Sequence, residues 1–530
     1  MPSLRKLLCA ALAFATAVVS GIAAPKLTHA ACLGDCDDSG SVTVDELVIG
    51  INIAFGNREV ADCHPMDIDG NEAVTVDELV GAVNIVLTGC PAEATATPND
   101  TPSQTVAPSS TPSETPPPPA TATPTPGQAT SFCDLPGSVR FLEDGIEVVP
   151  GGLPETPDLR FIQGPVGFCA HFYARVAKPR AIRFAPGGEL FVASPSTLTA
   201  GGGTRGRASI LVLYDDDGDG YADLQGAEAA AFLSGIPSTQ GMMFTDGFFY
   251  YQDDAKIMRM PYSAGDRTPS GSSEQIAEIT LHKSVLHWQK SMDIADDGTI
   301  FVTSGGDQTD PCERPQRFRG GVLELDGSPG GTILAKGFRN PISIRCSRGH
   351  NLCFVIELGK DGTAFVGGRE KLVPFRQSGD WGFPCCATKD VPFPGILPVP
   401  DCSEVMTENA AFFIGDTPFD LDFETGKWPE PWNNRVYVPL HGAVGTWSGA
   451  RIVGIAMDPV TGDVLPGSDL ENGMSTGAMV DFATGWDDNT RRHGRPANIA
   501  FAPDGRLFMG SDINLPNDIG YIIWFAPIGM

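Results

Sequence analysis

The chain has 530 residues, too many for one ordinary domain, and carries 65 acidic against 36 basic side chains for a net charge of -29. That charge excludes nucleic acid and anionic membrane surfaces as partners, since both would be repelled. With 62 Gly, 45 Pro and only 19% charged residues, the composition points to a turn-rich protein built mostly of strands.

In chain order, residues 1–30 read as an export signal. Arg5 and Lys6 precede an apolar run from Leu7 to Ala24, and Thr28-His29-Ala30 offers a small-residue cleavage site. The mature protein is expected to begin near Ala31, secreted or periplasmic, with no later segment able to span a membrane. Cys9 leaves with the signal, and the remaining twelve cysteines are expected to form disulfides in that oxidising setting.

Residues 31–90 contain a duplication in which GDCDDSGSVTVDELVIGINIAFG is echoed by MDIDGNEAVTVDELVGAVNIVLTG. Each half has the pattern of a calcium loop running into a helix. Asp35, Asp37, Ser39, Ser41 and Glu46 fall at the ligand positions of a twelve-residue loop, with Gly40 at its sharp turn, so oxygens surround a hard cation. Asp67, Asp69, Asn71 and Glu78 stand at the corresponding places of the second loop, where Glu72 replaces the turn glycine and weakens the site. The pair resembles dockerin modules, which implies a small α-helical, paired EF-hand-like unit, calcium, and a cohesin-like partner. Two features depart from dockerins: each loop ends on Glu rather than Asp, and four cysteines are present.

Residues 91–131 are almost wholly Pro, Thr, Ser and Ala, cannot bury a core, and are expected to form an extended spacer between two independent domains. From 132 to 527 one pattern recurs: an apolar strand, a turn of Asp, Gly and Pro, then a second apolar strand. It occurs at 179–194, 239–254, 289–304, 340–357, 434–458 and 495–511. Intervals of roughly 50 to 95 residues suit four-stranded blades with loops. The expectation is an all-β six-bladed propeller, with candidate functional groups where the inner strands meet the central channel.

Five short segments of this part lie in a telling order: HWQKSMDIADDG (287–298) continuing to SGGDQ (304–308), GFRNP (337–341), ELG (357–359), SGDWGFP (378–384) and GRP (494–496). Together they resemble the glucose/sorbosone dehydrogenases that use pyrroloquinoline quinone (PQQ). The resemblance implies a secreted dehydrogenase that oxidises a sugar or related alcohol or aldehyde by hydride transfer to the quinone, then passes electrons to an external acceptor. It assigns His287 as the base that takes the hydroxyl proton, with His282 as a rival, and Arg339 as the cation beside the quinone. Asn340, Arg495, His441, Asp307 and Gln308 become cofactor-binding candidates, Arg495 by a bidentate pair with a cofactor carboxylate. Calcium is implied at the backbone carbonyls of Gly359 and Lys360. Lys360 stands where glucose dehydrogenases carry proline, and Leu440-His441-Gly442 is closer to the sorbosone branch.

Two features lie outside the resemblance. Asp215, Asp217, Asp219 and Asp223 alternate with glycines and other residues in a loop that either binds calcium or simply turns a hairpin. The vicinal Cys385 and Cys386 are expected to be structural, pairing with Cys402 and one other. Two other functions compete with the dehydrogenase: a calcium-dependent lactonase-like hydrolase, and a non-catalytic propeller that binds carbohydrate or protein. The first needs carboxylates free for calcium in the channel, and the second predicts that His287 and Arg339 do not face one pocket.

Overall fold

The computed structural model describes scattered residues between 34 and 85 and most of 131–530. In the latter it leaves out 155, 177, 194–207, 223–227, 237–238, 246, 280–286, 288, 307–311, 313–319, 329, 362–367, 376–377, 444–445, 467–469, 472–473, 476–477, 491 and 512–519. The chain divides into two compact units, 1–120 and 121–530.

In the first unit, Thr43 and Glu46 cap the helix Val44–Ala54 reciprocally. Glu46 Oε2 accepts from the Thr43 backbone N–H at 2.7 Å, and Thr43 Oγ1 accepts from the Glu46 N–H at 3.4 Å. Thr75 and Glu78 repeat the exchange at 2.7 and 3.4 Å, so the duplicated sequence is also a duplicated local structure. A Cys36–Cys63 disulfide and the buried Met66, Val74 and Ala82 hold the unit together.

The second unit is a six-bladed β-propeller. Its inner strands are Ala181–Phe184, Met242–Thr245, Met292–Ile294, Asn340–Ser347, Asp422–Phe423 and Pro496–Phe501, each at the inner edge of an antiparallel sheet. Three blades share one turn, dictated by sequence. In APGGE, ADDGT and APDGR the alanine N–H of Ala185, Ala295 or Ala502 bonds the carbonyl four residues on, and the glycine N–H bonds back to the alanine carbonyl. Those glycines, Gly188, Gly298 and Gly505, have φ of 96°, 88° and 105°, which a residue bearing a Cβ adopts only with strain.

The ring closes where the N-terminal strand Phe168–Arg175 joins the C-terminal strand Tyr521–Pro527 in the sixth blade, an arrangement tied by the Cys133–Cys169 disulfide. Around the same seam, Trp428 packs its ring 5.0 to 5.1 Å from Phe168, Tyr437, Phe482 and Phe501. Each such pair contributes about 0.5–1.5 kcal/mol beyond the area it buries. Cys312–Cys385, Cys346–Cys353 and Cys386–Cys402 complete five bridges among the described residues, so the vicinal cysteines pair with Cys402 and Cys312.

Hydrogen bonds between blades fix the direction of the inner strands. Ser291 accepts from the Ile344 N–H and Asp293 from the Cys346 N–H, a step of two on both sides. Asp420 with Ile499 and Asp422 with Phe501 repeat it between the fifth and sixth blades. The inner strands therefore run in one sense, and residues that begin them share one end of the channel, the near mouth. Residues that finish them share the far mouth.

In five blades the recurring sequence hairpin is the innermost pair. In the fifth it is the second and third strands, Arg435–Leu440 and Arg451–Ala456. The inner strand there is only Asp422–Phe423, preceded by Asp420, and its acidic residues hide it from a search for apolar alternation.

Candidate functional site

The near mouth is assembled from strand beginnings. His287 stands ahead of the third inner strand and is 5% exposed. Its Nδ1 lies 2.5 Å from the Gly306 carbonyl oxygen. A carbonyl only accepts, so Nδ1 carries the proton and, in the neutral ring, Nε2 carries the lone pair. Gly305 is required for this approach, because a Cβ there would collide with the Cβ of His287.

Gly306 extends the contact. Its own N–H donates to the Arg339 carbonyl at 2.6 Å, so one backbone residue links the histidine ring to the start of the fourth inner strand. Gly320 guards this junction: a Cβ on it would meet the Phe338 carbonyl and come within 2.8 Å of the Gly306 nitrogen. His287 and Arg339, far apart in sequence, are thus two hydrogen bonds apart in space.

Arg339 is buried at 6% exposure. Its Nη1 donates to the Gly359 carbonyl at 2.7 Å and its Nη2 to Asp361 Oδ2 at 2.6 Å. Glu357 accepts from its backbone N–H at 2.8 Å, and Lys371 Nζ lies 3.6 Å from the other Glu357 oxygen. Burial pushes the Glu357 carboxyl up, while Lys371 beside it pulls it down. The Nε of Arg339 is buried with no hydrogen-bond partner among the described residues.

The turn expected to hold calcium is arranged otherwise. The Gly359 carbonyl is taken by a guanidinium, and the Lys360 ammonium lies 5.3 Å from the centre of the Phe393 ring. A cation already stands on this carbonyl, with Asp361 as its counter-ion, so the donor set as it stands fits Arg339 and not calcium.

Asn340 opens the fourth inner strand, buried and paired with Leu358. Arg495 precedes the sixth inner strand; its N–H donates to Ser511 Oγ at 2.9 Å and its guanidinium lies 5.5 Å from the Trp447 ring centre. Trp447, absent from the sequence-based candidates, is buried with φ of 61°, a left-handed conformation costing about 1–2 kcal/mol in a residue with a Cβ. His441 is 3% exposed and its ring sits 4.4 Å from that of Phe419. Its N–H bonds the Thr417 carbonyl, and the Thr417 N–H donates at 2.5 Å to Glu370, whose carboxyl burial pushes up to about 8. Asp307, Gln308 and His282 lie outside the described residues.

The near mouth is thus richer in cations than the acidic chain around it. Arg339, Arg369, Lys371 and Arg495 are all buried, and Glu370 is neutral below about pH 8. Besides Arg339 Nε, the buried polar atoms here with no partner among the described residues include Thr239 Oγ1, Gln240 Oε1, Gln289 Oε1 and Ser304 Oγ. Such orphans are costly in a closed core and serve a polar ligand that completes them.

Elsewhere, Asp215, Asp217 and Glu228 bring carboxylate oxygens within 4.8 Å of one another. Glu228 was not among the sequence candidates because it stands eleven residues beyond Asp217. Asp219 Oδ1 accepts from the Tyr221 N–H at 2.9 Å, and Asp223 lies outside the described residues. In the N-terminal unit, Asp35 accepts from the Ser39 N–H at 2.9 Å and Glu46 from the Cys36 N–H at 2.8 Å, with Asp67 at the end of a 3-10 turn. Asp37, Ser41, Asp69 and Asn71 lie outside the described residues.

No protein-family model and no curated protein matches the sequence. Solved structures match the propeller. The PQQ domain of pyranose dehydrogenase from Coprinopsis cinerea, in its holo form, is 18% identical over 70% of this chain and 98% of its own, with a TM-score of 0.56. A family AA12 carbohydrate-active enzyme from Trichoderma reesei, in its iodide structure, is 17% identical over 69% of this chain and 97% of its own, with a TM-score of 0.54. At such identities the likeness is one of fold.

Proposed function

We propose that the near mouth binds pyrroloquinoline quinone and oxidises a sugar or a related alcohol or aldehyde, with electrons leaving to an external acceptor. The observation that carries this is the His287–Gly306–Arg339 relay, which ties a base of fixed tautomer through two backbone hydrogen bonds to the residue that carries a buried guanidinium. A pyranose dehydrogenase PQQ domain shares the fold, which makes the quinone the first cofactor to test. When bound, it supplies the two-electron acceptor for the substrate's hydride.

The chain's own residues do the rest. His287 Nε2 takes the hydroxyl proton as the substrate carbon becomes a carbonyl, and the Gly306 carbonyl steadies the imidazolium through Nδ1–H. Arg339 provides fixed positive charge through an Nε that no group among the described residues uses, and Arg495 on Trp447 offers a second cation for a cofactor carboxylate. The orphaned hydroxyl and amide oxygens at the same mouth suit a ligand dense in polar atoms. Calcium belongs in this proposal to the acidic loop of Asp215, Asp217 and Glu228 and to the N-terminal loops, not to the turn at Gly359. The five disulfides fit a secreted or periplasmic protein.

A lactonase-like hydrolase fares less well, because the channel carboxylate Asp420 is already answered by Arg183 and Arg345. The test is to titrate the purified protein with the quinone, with and without calcium, and then to screen aldoses by reduction of an electron-accepting dye. Saturable quinone binding and sugar-dependent dye reduction are expected. Absence of quinone binding under both conditions would leave the non-catalytic propeller as the better account.

A further inference from the structure

The far mouth opens into a cavity of its own, with a polar cluster among the inner strands beneath it. Asp420 is the cluster's centre. It accepts from Ser343 Oγ at 2.6 Å and lies 3.5 Å from Arg183 Nη1 and 3.4 Å from Arg345 Nη2. Beyond it opens a cavity of about 580 Å³ to which all six blades contribute. Its floor holds Arg183 and Arg345, both 7% exposed, and its walls include Phe184, Phe244, Phe423 and Phe501. The lining is mixed, since charged side chains, among them Arg348, Asp293, Asp422 and Glu424, stand beside these rings.

The charges at the floor do not close. Two guanidinium groups share one carboxylate at distances near the limit of an ion pair, and otherwise lean on backbone carbonyls: Arg183 on Ile182 at 2.8 Å, Arg345 on Ile499 at 3.0 Å. Arg345 lines this floor, and its buried Nε has no hydrogen-bond partner among the described residues. Burial first, and then the charge of Arg345, push Arg183 down to about 10, whereas the carboxylates of Asp420, Asp422 and Asp293 hold Arg345 above its ordinary value against its own burial.

The nearby carboxylates are otherwise engaged. Asp293 accepts from the Cys346 N–H at 2.8 Å and pairs with Arg348 at 3.3 Å. Asp422 accepts from the Phe501 and Phe423 N–H groups at 2.8 and 3.0 Å, and burial pushes its carboxyl up, towards the neutral form. Glu424 accepts from the N–H groups of Trp428 and Asn434 at 2.9 and 3.0 Å. Asp293 and Asp422 still act on both guanidinium groups through their charge, but among the described residues only Asp420 is in ion-pair contact with Arg183 and Arg345.

We infer that the far mouth is a binding site for a small organic carboxylate, its anionic head at Arg183 and Arg345 and its body between the phenylalanines. A guanidinium fork accepts a carboxylate in two parallel hydrogen bonds, and Arg345 has a donor to spare for it. An apolar body gains by covering the rings, so benzoate binds more tightly than acetate. The site is independent of the quinone proposal, since no near-mouth residue takes part in it.

The experiment uses the full chain, with sodium acetate, benzoate and gluconate as probes against sodium chloride at equal ionic strength. Thermal unfolding and titration calorimetry should show saturable stabilisation and heat with the carboxylates, benzoate strongest, and neither with chloride. Arg345→Met should bind benzoate at least tenfold more weakly, and Arg345→Lys, which keeps the charge and loses the fork, should also weaken it. If the methionine variant does not fold, the lysine variant and Phe244→Ala carry the test, the latter narrowing the gap between benzoate and acetate. No saturable response to any of the three probes, or benzoate binding unchanged in the Arg345 variants, overturns the inference.

Discussion

The two mouths of one channel are built from the same strands and hold similar residues, yet they treat their arginines differently. At the near mouth each buried cation has a local answer. Arg339 has Asp361 and the Gly359 carbonyl, Lys371 has Glu357, and Arg495 lies over Trp447. At the far mouth two arginines compete for Asp420. The difference is one of timing along the strand. Arg339 and Arg495 precede inner strands and Lys371 meets Glu357 within its own blade, whereas Arg183 and Arg345 lie within inner strands and share Asp420 of another blade. A pre-organised mouth suits chemistry, and an under-compensated one suits capture of an anion.

The comparison breaks most visibly at His287. In the quinone-loaded protein, His287→Ala should lower dye-coupled turnover by about 100- to 10,000-fold, the usual worth of a positioned base, with quinone affinity within about threefold of wild type. An equal loss of both would make His287 a binding or packing residue. Arg339→Gln should weaken quinone binding by about 10- to 100-fold, which fluorescence titration reads directly, because a charge-assisted hydrogen bond is worth about 1.5–3 kcal/mol.

Glu370 sharpens the comparison through pH. Its folded carboxyl titrates at about 8, above the ordinary 4.5, because it is buried. Its contribution to stability is therefore complete below the ordinary value and is lost as pH rises through about 8, with a slope of at most about 1.4 kcal/mol per pH unit. Glu370→Gln should flatten denaturant-measured stability between about pH 5 and about pH 9; an unchanged slope would mean the carboxyl is already ionised in the fold. The smallest expected effect is the most discriminating one: Arg345→Met should leave sugar turnover within about twofold of wild type, because no near-mouth residue takes part in the far site.

Much of this was legible in the sequence for physical reasons. The Ala-x-x-Gly turns announce hairpins because glycine takes the positive φ they need without strain, and three of the six innermost hairpins carry them. The strand Asp422–Phe423 was not legible, since acidic residues face a channel lined with arginine, and apolar alternation is the wrong signal for a charged interior. His287 and Arg339 could be named from their motifs, but their meeting through Gly306 is a tertiary fact. Calcium at the Gly359 turn is what the family resemblance implies, and a resemblance of three residues does not say that the Arg339 side chain reaches the same carbonyl. Trp447 left no trace, because its role rests on a backbone conformation that no sequence pattern specifies. Arg183 and Arg345 each sit after an isoleucine in an inner strand, a matching place that would have marked them had the strands first been aligned as a ring.

The decisive measurement is a crystal structure of the propeller soaked with pyrroloquinoline quinone, which carries both a planar quinone and carboxylates suited to the cations of either mouth. The account predicts density at the near mouth, within hydrogen-bonding distance of Arg339 Nε and close to His287. Density confined to the far mouth, on Arg183 and Arg345, would contradict it.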